Sequence, residues 1–128
     1  MIVLETSALM AIVQAEPAAQ DCRGAIADHN ELLIAAPTLT EALIVSTARG
    51  LEASMADLLA DLFPTVLPLT EVRARSAFAA YLRWGRGFHK AKLNFGDCFA
   101  YALAKEKDCP LLYVGSDFRL TDIRSALA

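Results

Sequence analysis

The stretch of sequence that decides the fold is Leu93-Asn94-Phe95-Gly96-Asp97-Cys98-Phe99-Ala100-Tyr101-Ala102-Leu103-Ala104. Apolar side chains fall on almost every side of a helix drawn through this stretch, and a helix of that kind is buried. Asp97 lies near its N-terminus, where the first four backbone N–H groups have no partner within the helix. Asn94 could cap the helix or brace Asp97. On its own, an acid at this position is most simply a helix cap.

Strand and helix patterns alternate along the chain, with two helical stretches between successive strands. We predict strands at 1–4, 32–35, 66–67 and 111–114, and helices at 8–14, 16–28, 37–49, 51–62, 70–84 and 94–107. The tail leaves room for one more strand. This order predicts an α/β fold in which a parallel sheet is covered by helices on both faces.

Two further predictions concern helix ends and helix faces. Thr6 or Ser7 is expected to cap the first helix, and Gly50 is expected to end the third. In the helix that Thr70 caps, the spacing predicts that the core-facing side chains are those of Ala74, Phe78, Tyr81 and Leu82.

Composition restricts the classes of protein that fit. The 128 residues are enough for one domain with a substantial core. The hydrophobic content of 55% excludes disorder and favours a surface that a partner covers. No apolar run reaches the roughly 18 residues of a membrane span, and no cationic segment precedes the first strand as in a signal peptide. The three cysteines have neither metal-type nor redox-type spacing, which favours reduced thiols in a cytoplasmic protein.

Four acids stand where strands end or helices begin, the edge at which an open α/β sheet places its functional groups. Carboxylates gathered there repel one another unless a cation joins them, and a hard divalent cation is the usual partner. We therefore predict a Mg²⁺ or Mn²⁺ site. Taken alone, Glu5, Glu41 and Asp97 can each be explained instead as an acid that stabilises a helix N-terminus. The acids are Glu5, Glu41, Asp97 and Asp117, with Asp122 as a peripheral fifth; the hydroxyls of Thr6 and Ser7 could contact the metal or its water.

Basic residues are concentrated just before Asn94. Residues 1–71 carry ten acids and two bases, whereas residues 72–96 carry six bases and no acid. A charge run is ordinarily a solvated helix face. Beside an acidic site, however, it suggests an anionic substrate, because cations hold a phosphate backbone while a metal does the chemistry.

These motifs resemble those of the PIN-domain ribonucleases of the VapC toxin family, from bacterial toxin–antitoxin systems. The likeness runs from Met1 to about Leu127. It is carried most specifically by Leu93–Ala104. Supporting segments, in order along the chain, are Met1–Leu9, Thr40-Glu41-Ala42, Gly115-Ser116-Asp117-Phe118 and Thr121-Asp122-Ile123.

The resemblance implies a fold and an activity. The fold is a single PIN domain over residues 1–128, with three layers and a central, mostly parallel sheet of four to five strands flanked by helices. The activity is a metal-dependent endoribonuclease toxin, using Mg²⁺ or Mn²⁺, that cuts tRNA or another structured RNA. The implied partners are a second copy of the chain and a cognate VapB-like antitoxin.

The resemblance also assigns residues. The family's metal acids map onto Glu5, Glu41, Asp97 and Asp117, and the hydroxyls after its first acid map onto Thr6 and Ser7. Asn94 and Asp122 are supporting residues. The expected RNA contacts are Arg83, Arg86, His89, Lys90 and Lys92.

Glu5 departs from the family, which nearly always has Asp at this position. Glu reaches about one C–C bond further, and Mg²⁺ demands octahedral geometry at roughly 2.0–2.1 Å. The chain could therefore be a slow enzyme, one that prefers Mn²⁺, or one with a shifted metal. The alternative is a weakened domain that mainly binds RNA or antitoxin. A receiver-type phosphotransfer domain is the third class, but Glu5-Thr6-Ser7 offers no acid pair and Leu67-Pro68-Leu69 offers no Asp.

Overall fold

Four parallel strands form the central sheet in the order β3-β2-β1-β4. The computed structural model describes residues 1–127. The strands are β1 (Ile2–Leu4), β2 (Leu32–Ala35), β3 (Thr65–Leu67) and β4 (Leu111–Leu112), and a 3-10 helix (Asp117–Leu120) follows β4. The α-helices are α1 (Thr6–Val13), α2 (Ala19–Ala27), α3 (Ala36–Ala48), α4 (Glu52–Leu62), α5 (Glu71–Trp84) and α6 (Phe95–Lys107).

The predicted element order is confirmed, as is the parallel sheet. Val3 pairs with Leu33 on one side and with Leu111 on the other, so β1 is central. Up to residue 127, the tail contributes one isolated parallel bridge, from Ser125 to Leu111, instead of a fifth strand. Because all strands are parallel, their carboxyl ends lie at one edge of the sheet, and the residues that follow β1, β2 and β4 meet there.

The core consists of two clusters, one on each face of the sheet. Side chains alternate along β1: Val3 packs in the cluster with α5 and α6, whereas Ile2 and Leu4 pack in the cluster with α1 to α4. This arrangement confirms the three layers. All three cysteines are buried and free. Among residues 1–127, none of the helices combines the length and apolarity that a membrane span requires.

The predicted cap of α1 is wrong. Thr6 and Ser7 lie inside the helix, and Glu5 is the N-cap, with its side chain accepting a hydrogen bond from the Ser7 N–H. Glu5 takes this position because its backbone is still extended as β1 ends, while its carboxylate can reach the unpaired N–H groups of the first turn. The caps at Thr70 and Asn94 are confirmed.

The predicted face of α5 is wrong for Phe78 and Leu82, whereas Tyr81 is half-buried and packs against the core. Phe78 is 62% exposed and Leu82 is 46% exposed, while Ala77, Ala80 and Trp84 are buried. The small alanines let α5 pack closely on α6, which favours this face over the bulkier stripe. Trp84 is held there because its Nε1–H donates to the hydroxyl of Tyr101 at 2.9 Å.

Candidate active site

Glu5 stands at the end of the central strand and is almost fully buried, with 4% exposure. Its Oε2 accepts from the Ser7 N–H at 2.8 Å and from the Ser7 hydroxyl. Burial raises the pKa of Glu5 from 4.5 to about 7. The hydrogen bonds from Ser7 lower this pKa, and the charges of Asp97 and Glu41 raise it further. Glu5 is thus a buried acid that shares its surroundings with two others.

Asp97 lies in the first turn of α6 and forms a reciprocal capping box with Asn94. The Asp97 N–H donates to Asn94 Oδ1 at 2.9 Å, and the Asn94 N–H donates to Asp97 Oδ2 at 3.0 Å. Asn94 therefore does both things that the sequence allowed. Burial raises the pKa of Asp97 to about 6; the hydrogen bond from Asn94 opposes this rise, and the charges of Asp117 and Glu41 add to it.

Glu41 reaches the same place from the second turn of α3. Its Oε1 accepts from the hydroxyl of Thr6 at 2.5 Å. Its carboxylate also lies against Gly96, where an added Cβ would stand 2.9 Å from the Glu41 carboxyl carbon. The glycine between Phe95 and Asp97 thus leaves the room that the Glu41 side chain occupies. Together, Thr6 and Gly96 fix Glu41 between the end of β1 and the start of α6.

Asp117 is exposed and begins the 3-10 helix after β4. Gly115, with φ of 98°, makes the tight turn that precedes it. Asp117 and Asp97 line the same groove, and the charge of Asp117 acts on the pKa of Asp97. The structure therefore brings Glu5 and Asp97 together in the interior, with the partly buried Glu41 beside them, and places Asp117 at the open side.

The carboxylate oxygens are of the type that binds a hard cation, but three of the four acids accept hydrogen bonds from neighbouring residues. Among residues 1–127 no ion pair involves any of the four acids. No three His, Cys, Asp or Glu side chains in that range are placed so that they hold one ion directly. Ser7, Thr6 and Asn94 instead occupy an oxygen of Glu5, Glu41 and Asp97 respectively. Buried carboxylate oxygens without a cationic partner fit Mg²⁺ or Mn²⁺ chemically.

Asp97 and Asp117 open into a groove of about 650 Å³, and half of its other lining residues are basic. Of the predicted RNA contacts, three lie here: Arg86, Lys90 and Lys92. Arg119 also lines the groove, and the sequence reasoning missed it. The sequence did hold a signal for Arg119, because this residue follows Asp117 by two positions, after the turn at Gly115 that returns the chain to the strand end. We name this space the basic groove.

The remaining predicted residues are engaged elsewhere. Arg83 stacks 4.6 Å over the ring of Trp84 and lies 3.8 Å from Asp122. His89 accepts from the Ala91 N–H at 2.9 Å through Nδ1 and lies edge-on to Trp84. None of these residues lines the basic groove. Their contacts are instead with Trp84, with Asp122 and with the backbone of the loop between α5 and α6.

Asp122, the predicted fifth acid, belongs to a cationic neighbourhood instead of the acid cluster. It accepts from the hydroxyl of Tyr101 and from Lys105 Nζ at 3.1 Å. Burial acts to raise the pKa of Asp122, but these hydrogen bonds and the charges of Lys105 and Arg83 outweigh it, so the net pKa is lowered. Its role is to anchor the pair of Tyr101 and Trp84.

Comparison with known proteins shows the family to which the chain belongs. The PIN domain model matches residues 2–123. A ribonuclease VapC of Mycolicibacterium smegmatis is 42% identical over 125 residues, which cover 95% of this chain and 97% of that protein. The crystal structure of Mycobacterium tuberculosis VapC20, a sarcin-ricin loop cleaving toxin, superposes with a TM-score of 0.78 at 16% identity and 96% coverage of both chains. A toxin–antitoxin complex from Klebsiella pneumoniae gives 0.72 at 14% identity, covering 95% of this chain and 93% of that one.

Proposed function

We propose, from the premise that this chain belongs to the PIN-domain family and to its VapC ribonuclease members, that it is a metal-dependent endoribonuclease toxin of a toxin–antitoxin system. The observation that carries the proposal is the pair of buried acids Glu5 and Asp97. Their pKa values are raised to about 7 and about 6, and each is affected by the charge of a neighbouring acid. Perturbed carboxylates gathered beside a groove are typical of a functional site.

The proposed ligands of a Mg²⁺ or Mn²⁺ ion are Glu5, Glu41, Asp97 and Asp117. A bound divalent ion would activate water for attack on phosphorus and stabilise the charge on the leaving 3′ oxygen. The protein's own residues prepare the site. Thr6 orients Glu41, Asn94 orients Asp97, and Ser7 holds Glu5.

The proposed substrate is RNA, tRNA or another structured RNA, held along the basic groove. Arg86, Lys90, Lys92 and Arg119 line this groove together with Asp97 and Asp117 and would pair with phosphates of the RNA. We further propose that residues 1–128 form one PIN domain, that the chain acts in the cytoplasm as a homodimer, and that a cognate VapB-like antitoxin blocks it. The similar Klebsiella structure is a toxin–antitoxin complex, which supports the proposal of an antitoxin partner.

The experiment uses the full chain purified without antitoxin, mixed with end-labelled total tRNA in Mn²⁺ or Mg²⁺. Cleavage should occur, should stop with EDTA, and should be lost in Asp97→Asn. Asp57→Asn is the matched control, because Asp57 is an exposed acid on α4 away from the groove. Cleavage that persists in EDTA, or equal activity in both variants, would overturn the assignment.

A second candidate function is a binding module that grips RNA or antitoxin without cutting. The hydrogen bonds between Glu5 and Ser7 favour it, because they engage the first acid as a helix cap. Glu5→Asp separates the two candidates. A large gain in cleavage identifies a slow enzyme, whereas silence in both proteins with RNA binding retained identifies the module.

A further inference from the structure

A second groove adjoins the basic groove and differs from it in character. It has a volume of about 530 Å³ and is mostly apolar. Four aromatic side chains line it, and Arg86 and Asn94 line both grooves. The aromatic residues are Phe78, Tyr81, Phe95 and Phe99. We name this space the aromatic groove.

We propose that the aromatic groove receives an unpaired base of the RNA, stacked on Phe95, from a nucleotide next to a phosphate held by the cations of the basic groove. This inference rests on the proposed function, whose substrate it specifies further. It makes Phe95 a positioning residue: it contacts the substrate beside the reacting bond and decides which phosphate reaches the acids.

Phe95 has the exposure and the position that stacking requires. It is the first residue of α6 and is 78% exposed, so the core does not explain its ring. Asp97 follows two residues later and lines the adjoining basic groove, and Asn94, which precedes Phe95, lines both grooves. Phe99 supports Phe95 edge-on, with ring centroids 5.0 Å apart and planes at 80°. A ring braced at this geometry keeps an exposed surface for a base.

Arg86 joins the two grooves at a fixed point. Its N–H donates to the Leu93 carbonyl at 3.0 Å, and its carbonyl accepts from the Tyr81 hydroxyl at 3.0 Å. Its backbone is thus held on both sides, while its side chain is exposed between apolar and basic walls. A guanidinium there can pair with a phosphate on one side and lie over a base on the other.

Charge and continuity favour a nucleotide over a protein segment as the occupant. The aromatic groove opens into a space bordered by four cations and two acids, and a nucleotide presents both an anionic phosphate and a flat apolar base. An apolar peptide segment would match only the aromatic half. Stacking tolerates any base, so we expect affinity without strong sequence preference from this contact.

The test measures binding separately from cleavage. A fluorescein-labelled 2′-O-methyl oligouridylate of about ten nucleotides is titrated in EDTA, and anisotropy is read. Phe95→Ala and Phe95→Leu should each weaken binding about 5- to 140-fold, the equivalent of the ~1–3 kcal/mol measured per stacked base. Phe95→Trp should bind at least as well as the parent. An abasic oligomer of the same length should bind all four proteins alike.

The matched control is Phe63→Ala, because Phe63 is 87% exposed but lines neither groove. Its RNA affinity should be unchanged. The inference is overturned if Phe95→Leu binds the RNA as tightly as the parent does. It is also overturned if the loss of affinity persists on the abasic oligomer, or if neither oligomer binds. A Phe95→Ala protein with parental RNA affinity and a lost dimer also overturns it, and would assign this face to a second copy. A stacking effect without any cleavage in Mn²⁺ overturns the nuclease and leaves the base contact standing.

Discussion

Replacing Glu5 by glutamine should stabilise the metal-free protein above neutral pH. Glutamine keeps the length of the side chain and an oxygen that can accept from the Ser7 N–H, but removes the buried charge. Folding raises the pKa of Glu5 from 4.5 to about 7, a shift of about 2.5 units. At 1.36 kcal/mol per unit, the ionised carboxylate costs the folded state about 3 kcal/mol. That is a large part of the ~5–15 kcal/mol that holds a small domain together.

The sign follows from which state loses its proton first. Below the unfolded pKa of 4.5, Glu5 is protonated in both states and carries no penalty. Between 4.5 and about 7 the unfolded chain ionises while the folded chain does not, so parental stability falls as pH rises. Above about 7 both are ionised and the loss is complete. The Glu5→Gln protein should lack this component of the pH dependence.

Urea unfolding in EDTA, at pH values from about 4 to about 8, measures the difference. The gap between Glu5→Gln and the parent should grow to about 3 kcal/mol at the high end and nearly vanish at the low end. The control is Glu52→Gln, an exposed acid in the first turn of α4, which should show no such gap. Saturating Mn²⁺ should narrow the gap, because a bound cation stabilises only the carboxylate form. A gap independent of pH, or a variant less stable at pH 8, refutes the reasoning.

Three further outcomes follow from individual contacts. Gly96→Ala places a methyl group against the Glu41 carboxylate, so cleavage should fall about 10²-fold. The unfolding free energy should change by about 1 kcal/mol or less, because only a flexible side chain must move. Cleavage equal to that of the parent would contradict this prediction. Arg119→Ala should reduce the slope of log affinity against log salt for single-stranded RNA by about 0.7, and an unchanged slope would remove Arg119 from the groove's phosphate contacts. Trp84→Phe deletes the donor to Tyr101 and should cost about 1 kcal/mol or more in urea unfolding, with a parental midpoint as the contrary result.

The sequence predicts most of the framework because the framework rests on local patterns. Apolar runs of strand length alternate with helical spacing, which is enough for the element order and for a parallel sheet. The N-terminus of α6 could be predicted in detail, since Asn94 and Asp97 have the types and spacing of a capping box. The positions of Glu5, Glu41 and Asp117 follow from the same patterns, because the segments after β1, β2 and β4 lie at one edge of the sheet.

What could not be predicted depends on the path of the backbone and on helix packing, which decide between contacts that the sequence allows equally. Glu5 caps α1 because its carboxylate lies within reach of Ser7, a choice between two plausible caps that only the extended backbone after Leu4 decides. The buried face of α5 depends on how closely alanines let it approach α6. Arg119 reaches the basic groove only because the turn at Gly115 reverses the chain.

The position of β4 in the sheet has a consequence for synthesis on the ribosome. β1 is made first but pairs on one side with β4, which is made last of the four strands. The Val114 N–H, just after β4, donates to the hydroxyl of Ser7 at 2.9 Å, and Asp117 follows directly. A nascent chain that ends before β4 therefore has three of the four acids and the pairing of β1 with β2. It lacks β4, on the other side of β1, and it lacks Asp117. Under the proposed function, a toxin built in this order becomes competent only when its final strand docks.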